Sequence, residues 1–493
     1  LLSNIKITVK GSAIYAIGNI SLKLVGLILL PLYVQKLSLT EYGILGILDI
    51  TSQALIPIFG LSIWNALQRW YWDKDFADRQ KSIFFTVIAI STILAVVLYV
   101  LVSSLSSPLS NLLFKDEQYG YVIKLMALIA SIEIVAQSPA MLYRLKNKPL
   151  FFTLSFITKM LVTLSLTLYF MIVKGKKIDG IYEAQLIGSA VYIIILIIPA
   201  LSEFRFRFEG GVLKDMIRYR MPLVVSTVFV IVLSMTDRYA LGFITNLDEV
   251  GIYSLGYKIA NALKLILISS VWYALNPLIY KMMDQPGHLR FYSKIMTYFT
   301  FGVMVFLLAV SLFGKEVIYL VASKPEFRGA YKIIPFISFA ILFEMLKNVA
   351  LIGVHITKKT KRLALIVGLI ALLNLGLNIL LIPFLKSFGA AFATVLSQLV
   401  FFILALRIAQ KLYYIPYEIK KIAQMIFLGL ALVILGNLFN GLYLPLRLLL
   451  KTLIIGSFPF ILYFLNFYEE IEMQRLKQIW MKWRNPLEWK RHK

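Results

Sequence analysis

Residues 82–103 read SIFFTVIAISTILAVVLYVLVS, 22 positions without a charged side chain. At 1.5 Å per residue a helix of that length spans about 33 Å, close to the hydrocarbon thickness of a bilayer. A barrel strand needs only about 9–11 residues, and an isolated strand would leave its backbone polar groups unpaired in lipid. The stretch is read as a transmembrane helix. Working outward, fourteen comparable apolar runs follow one another between residues 12 and 466. The composition agrees: 60% of the 493 residues are hydrophobic and 15% charged, against roughly 45–50% and about 25% in soluble domains. The expected class is an all-α polytopic membrane protein.

The formal net charge is +26, which on a soluble chain would point to nucleic acid. Here most of the excess sits in short loops between apolar runs, so nucleic acid is set aside as a partner. With fourteen crossings both termini lie on one face. That face carries about 32 Lys and Arg and the other about 12, which places both termini in the cytoplasm of a cell-membrane protein. Lys174, Lys176 and Lys177 form a local exception. The first run lacks a small-residue cleavage signature and is read as a retained helix. The chain contains no cysteine, so disulfides and thiolate metal sites are excluded.

The sequence also repeats. Glu41-Tyr42-Gly43-Ile44 opens the second run, and Glu249-Val250-Gly251-Ile252, 208 residues later, opens the eighth. Ser62, Trp64, Ala66 and Leu67 match Ser270, Trp272, Ala274 and Leu275 at the same offset. Gly180 and Ala184 match Gly389 and Ala393, and Glu133 falls opposite Glu344. A shift of six helices preserves orientation, so the halves should be parallel repeats about an axis along the membrane normal. The expected organisation is a six-helix lobe at 1–209, a second at 210–411, two further helices at 412–467, and an amphipathic basic tail at 468–493.

Charge inside the membrane marks the candidate site, because an ionised group facing lipid costs at least several kcal/mol by many estimates. The cavity candidates are Lys23, Lys159, Arg238, Lys258, Asn261, Lys264 and Lys347. Lys258, Asn261 and Lys264 form a stripe at three-residue spacing. Asp49, Glu133, Asp237 and Glu344 are the carboxylates available for coupling to a proton or sodium gradient. Glu344 and Lys347, one turn apart, read as a switchable pair, and Asp237 beside Arg238 as an ion pair, structural or part of the transport path. Asn374 and Asn378 lie one turn apart and can join helices. The cationic surplus favours an anionic cargo over a cationic drug.

No G-x-x-x-x-G-K-[ST] element appears, nor any H-E-x-x-H pair, and His288, His355 and His492 lie far apart. The expectation is a transporter, not an enzyme, with no metal site and no cofactor. Leu29-Leu30-Pro31-Leu32-Tyr33, Leu37-Ser38 and Glu41-Tyr42-Gly43 form one group of landmarks. Thr236-Asp237-Arg238-Tyr239, Val250-Gly251-Ile252-Tyr253, Lys258-Ile259-Ala260, and Gly389-Ala390-Ala391 through Ser397 follow in order. This pattern resembles the multidrug/oligosaccharidyl-lipid/polysaccharide (MOP) exporter superfamily, and within it the Wzx-like polysaccharide flippases. The resemblance implies a MATE-like fold of two six-helix lobes with two added C-terminal helices. It further implies alternating-access transfer of a polyprenyl-diphosphate-linked oligosaccharide from the cytoplasmic to the outer leaflet. Membrane lipids, a polysaccharide polymerase and glycosyltransferases would be its partners. A multidrug or organic-cation antiporter and a lipid II flippase are the alternatives on the same fold.

Overall fold

The structure, a computed structural model, describes residues 26–283, 285–357, 361–470 and 472–474. Every regular element among them is helical. Among the described residues twelve runs are long and apolar enough to cross a membrane, and outward residues such as Leu365, Leu372 and Phe384 are strongly exposed apolar side chains. The chain is a multi-pass membrane protein. Of the fourteen expected spans, the first falls largely outside the described residues; its end is α1, Leu30–Lys36. The eighth is a helical run from Leu247 to Lys281 divided by a π-helical turn.

The first half continues with α2 (Leu39–Phe59), α3 (Trp64–Trp70), α4 (Gln80–Ser104), α5 (Gly120–Leu145), α6 (Pro149–Leu168) and α7 (Ile178–Ala200). The second half has α8 (Gly210–Ile244), α9 (Leu247–Leu263), α10 (Ser269–Lys281), α11 (His288–Leu312), α12 (Ile334–Ala350), α13 (Lys361–Leu385) and α14 (Ser387–Leu412). Then come α15 (Ile419–Leu438) and α16 (Leu444–Phe464). Two compact units emerge: one runs up to Gln285 and again over Gly314–Tyr414, the other over Pro286–Phe313 and from Ile415 onward.

In the second unit α11 packs on α15 and α16. Gly429 and Gly436 admit Met304 and Leu312 so closely that a Cβ at either would collide. Lys294 ties the segment after α16 to this bundle, with Nζ donating to Glu418 at 3.0 Å and to Glu469 at 2.5 Å. Of the expected basic tail, only residues 468–470 and 472–474 are described.

In the first unit the repeat is physical. Ser38 caps α2 by accepting the Glu41 N–H at 3.1 Å, and Glu41 returns the bond to the Ser38 N–H, a capping box. Asn246, 208 residues later, caps α9 by accepting the Glu249 N–H at 3.0 Å. These two helix starts cross each other. A Cβ at Gly43 would strike the Leu247 carbonyl, and one at Gly251 would strike the Leu39 carbonyl. Thr40 donates to Asp248, its own counterpart in the repeat. A pseudo-twofold axis must pass between two residues that are copies of each other and touch.

The loop lysines that broke the charge pattern belong to this arrangement. Lys177 reaches Glu41 at 2.8 Å, and its counterpart Lys386 reaches Glu249 at 3.6 Å. Lys176 pairs with Glu183 at 2.6 Å, and that hydrogen bond holds its ammonium above the ordinary lysine range.

Below the crossing the halves diverge. The second span breaks after Pro57: Gly60 ends α2, and Leu61 and Ser62 take φ values of 50° and 44° before α3 begins. Left-handed backbone at non-glycine residues costs roughly 1–2 kcal/mol each. The eighth span instead carries the π turn Lys264–Ile268 near the matching depth.

Candidate functional site

Two adjoining cavities lie between the halves of the first unit. The larger, about 430 Å³, is walled by α2 on one side and by α8, α9 and the π turn on the other. Arg238, Lys258, Asn261 and Lys264 all line it, with Asp49 its one lining carboxylate among the described residues. The second, about 320 Å³, extends into the first half, where Glu133, Lys159, Gln185 and Ser189 line it. Leu45, Asp49 and Lys258 belong to both walls.

Helix geometry delivers the cations. Lys258, Asn261 and Lys264 share one face of the eighth span at i, i+3 and i+6. Lys264 is also the first residue of the π turn, where the extra residue per turn redirects side chains. Arg238 on α8 is only 8% exposed and still lines the cavity. Its Nε donates to Ser254 Oγ at 3.2 Å, and its guanidinium stands 4.6 Å from the Tyr257 ring centroid and 5.6 Å from that of Tyr253. Lys258 Nζ lies 5.4 Å from the Tyr33 ring centroid. Neither Arg238 nor Lys258 forms an ion pair with a carboxylate among the described residues. Taking a cation out of water costs several kcal/mol, and an anionic ligand in the cavity offsets that cost.

The carboxylates do not sit where sequence neighbours would put them. Glu344 on α12 accepts Lys264 Nζ at 2.7 Å on each oxygen, so its partner is Lys264 and not Lys347. Lys347 instead stands 4.5 Å from the Phe401 ring centroid and lines neither cavity. Asp237 does not pair with Arg238. It accepts from Tyr253 Oη at 2.6 Å, Asn378 Nδ2 at 2.9 Å and Thr394 Oγ1 at 2.7 Å. Asn378 Nδ2 also reaches Asn374 Oδ1 at 3.1 Å. Asp237 is 4% exposed and both asparagines are buried. Asp237 and these neutral donors form one oxygen-rich cluster, whereas spacing alone reads Asn374 and Asn378 as a helix joint and Asp237 as the partner of Arg238.

In the first half Glu133 on α5 is bonded by Lys159 of α6 and by Ser189 Oγ of α7 at 2.9 Å. The two ion pairs differ in access. Lys159 and Glu133 side chains are 14% and 12% exposed, whereas Lys264 and Glu344 are 38% and 26% exposed. Asp49 accepts from Tyr182 Oη at 3.3 Å. Lys23 lies outside the described residues. Among those residues no group of three or more His, Asp or Glu could hold a metal ion.

The fold is one shared with solved structures of MOP-superfamily transporters. The model of the family described as polysaccharide biosynthesis protein matches residues 8–283, more than half of the chain. The chain belongs to that family. Among solved structures it is similar to the lipid II flippase MurJ in an inward closed conformation. The TM-score there is 0.72 at 15% identity, covering 91% of this chain and 98% of that one. An inward-facing multidrug resistance MATE family transporter of the MOP superfamily matches with a TM-score of 0.63 at 14% identity, over 83% and 95% of the two chains. A MOP superfamily transporter from Pyrococcus furiosus, described as having a binding pocket of reversed polarity, matches with a TM-score of 0.55 at 16% identity, over 82% and 95%. No curated protein matches by sequence.

Proposed function

We propose that this chain is a flippase that moves a polyprenyl-diphosphate-linked oligosaccharide across the membrane by alternating access. The observation that carries the reading is the larger cavity, where Arg238, Lys258 and Lys264 face one lining carboxylate. A diphosphate offers the acceptors that ammonium and guanidinium groups satisfy with charge-assisted hydrogen bonds. Membership of a polysaccharide biosynthesis family supports a glycan as the remainder of the cargo. Glycosyltransferases that build the cargo and a polymerase that consumes it are the partners such a step requires.

In this reading the charge bias puts both termini in the cytoplasm, and the crossed starts of α2 and α9 close the outer face. Transfer requires the Gly43–Gly251 crossing to part and the cavity to reopen outward. Coupling to a proton or a monovalent cation is assigned to the Asp237 cluster, where a buried carboxylate is surrounded by neutral oxygen- and nitrogen-bearing side chains.

Lipid II transport is the second reading, favoured by the match over nearly the whole of the lipid II flippase MurJ. It shares the diphosphate and differs in the sugar and peptide beyond it. Purified protein in vesicles, offered each labelled lipid in the inner leaflet, separates the two. Acceleration of oligosaccharide-lipid transfer above empty vesicles supports the first reading. Acceleration of lipid II alone replaces it with the second, and an effect on neither lipid rejects both.

A further inference from the structure

The larger cavity accounts for the diphosphate and leaves the second without a role. Its own charged groups, Glu133 and Lys159, cancel each other in a pair that is nearly sealed. Beside Asp49 and Lys258, one charge of each sign shared with the larger cavity, its uncharged polar lining is Thr163, Gln185 and Ser189, set among apolar side chains. Gln185 and Ser189 stand one turn apart on the same face of α7, and both line the cavity. Ser189 is committed to Glu133. The Gln185 amide has no hydrogen-bond partner among the described residues, so two donor hydrogens and an acceptor remain for a ligand. The repeat underlines this. Gln185 aligns with Thr394 at the offset of Gly180 and Gly389, and Thr394 is spent on Asp237.

A chamber of about 320 Å³ is large enough for a small ligand group. It shares Leu45, Asp49 and Lys258 with the cationic cavity, so a ligand held in one lies beside the other. Tyr33 adds an aromatic wall at that junction. Amide, hydroxyl and aromatic surface, with no net charge, suit a ligand of many neutral hydroxyls.

Resting on the flippase reading above, we infer that this second cavity is the sugar compartment. It receives the carrier-proximal sugars of the cargo while the diphosphate stays with Arg238, Lys258 and Lys264. Gln185 is then a specificity-determining residue that reads sugar hydroxyls and does not touch the diphosphate.

Binding to the purified full chain, followed by calorimetry, tests this with two soluble probes: farnesyl diphosphate, and farnesyl diphosphate carrying a neutral disaccharide. Gln185→Leu should weaken the glycosylated probe about 5–10-fold, the worth of one or two neutral hydrogen bonds. It should leave farnesyl diphosphate within about twofold. Lys264→Gln should weaken both probes. Gln185→Ala serves if the leucine variant fails to insert. Equal weakening of both probes by the Gln185 variants, or no weakening of the glycosylated one, overturns the sugar compartment. If the wild-type chain binds neither probe, or Lys264→Gln leaves both unaffected, the flippase reading itself fails.

Discussion

The two halves of the helical bundle share their entrances and differ in their interiors. At the helix starts the repeat is nearly strict: Ser38 and Asn246 cap, Gly43 and Gly251 cross, and Glu41 and Glu249 each hold a loop lysine. Deeper in, the correspondence fails at charged positions of the cavity. Lys264 occupies the position that Ile56 holds in the first half, and Asp237 the position of Leu29. The aligned carboxylates Glu133 and Glu344 both keep a lysine, but Lys159 is nearly sealed and Lys264 is open to the cavity. A closing device must fit both halves at once, so its two copies are held alike. The proposed cargo, with one charged end, needs one half to change.

Several experiments can break or sharpen that contrast. The largest effect is expected for Arg238→Gln and Lys258→Gln. A charge-assisted hydrogen bond is worth about 1.5–3 kcal/mol, so each should slow leaflet transfer roughly 10–100-fold at unchanged expression. Substitution of Lys315, in the short helix Gly314–Val321 and outside both cavities, should leave transfer unchanged. Uniform small losses would mean that general electrostatics, not this cavity, carries the cargo.

Next in size are Gly43→Ala and Gly251→Ala. Each puts a methyl group against a backbone carbonyl at the crossing, so each should favour the outward-open state and cut transfer several-fold. Because the chain has no cysteine, Thr40→Cys with Asp248→Cys reads out the crossing directly. Oxidation should cross-link the pair and stop transfer, and reduction should restore it. Transfer that continues in the cross-linked protein would remove the crossing from the cycle.

Asp237→Asn probes the cluster that the first half lacks. It should preserve cargo binding and abolish the dependence of transfer on an imposed ion gradient. Unchanged gradient dependence would move coupling to Asp49 or Glu344. The smallest effects belong to Glu41→Gln and Glu249→Gln, since partly exposed ion pairs contribute about 0–1 kcal/mol. The two should match within about twofold, and a large difference between them would break the symmetry of the closing device.

Much of this was legible in the sequence. Apolar run lengths located thirteen spans that the described residues show as helix, and the 208-residue offset exposed the repeat. The Lys258–Asn261–Lys264 stripe followed from helical spacing alone. What failed to read was tertiary. Glu344 and Lys347 share a helix face, but Lys264 arrives from another helix and takes both oxygens. Adjacent residues on a helix point about 100° apart, which sends Asp237 toward Tyr253, Asn378 and Thr394 while Arg238 faces the cavity. Pro57 hinted at the break near Leu61 and Ser62; nothing in the local pattern announced the π turn at Lys264. The Thr40–Asp248 contact could have been found, because a residue near a twofold axis meets its own copy.

The central claim is that the second half carries the diphosphate through an accessible cation, while the Glu133–Lys159 pair of the first half, matched to Glu344–Lys264 only at its carboxylate, is neutral lining. Paired neutralisation tests it without changing net charge. Glu344→Gln with Lys264→Gln is compared with Glu133→Gln with Lys159→Gln, both in vesicles, by leaflet transfer of a polyprenyl-diphosphate oligosaccharide at matched protein levels. Loss of at least about tenfold is expected for the first pair, and a change within about threefold for the second. Equal losses from the two pairs, or a greater loss from the Glu133–Lys159 pair, would contradict it.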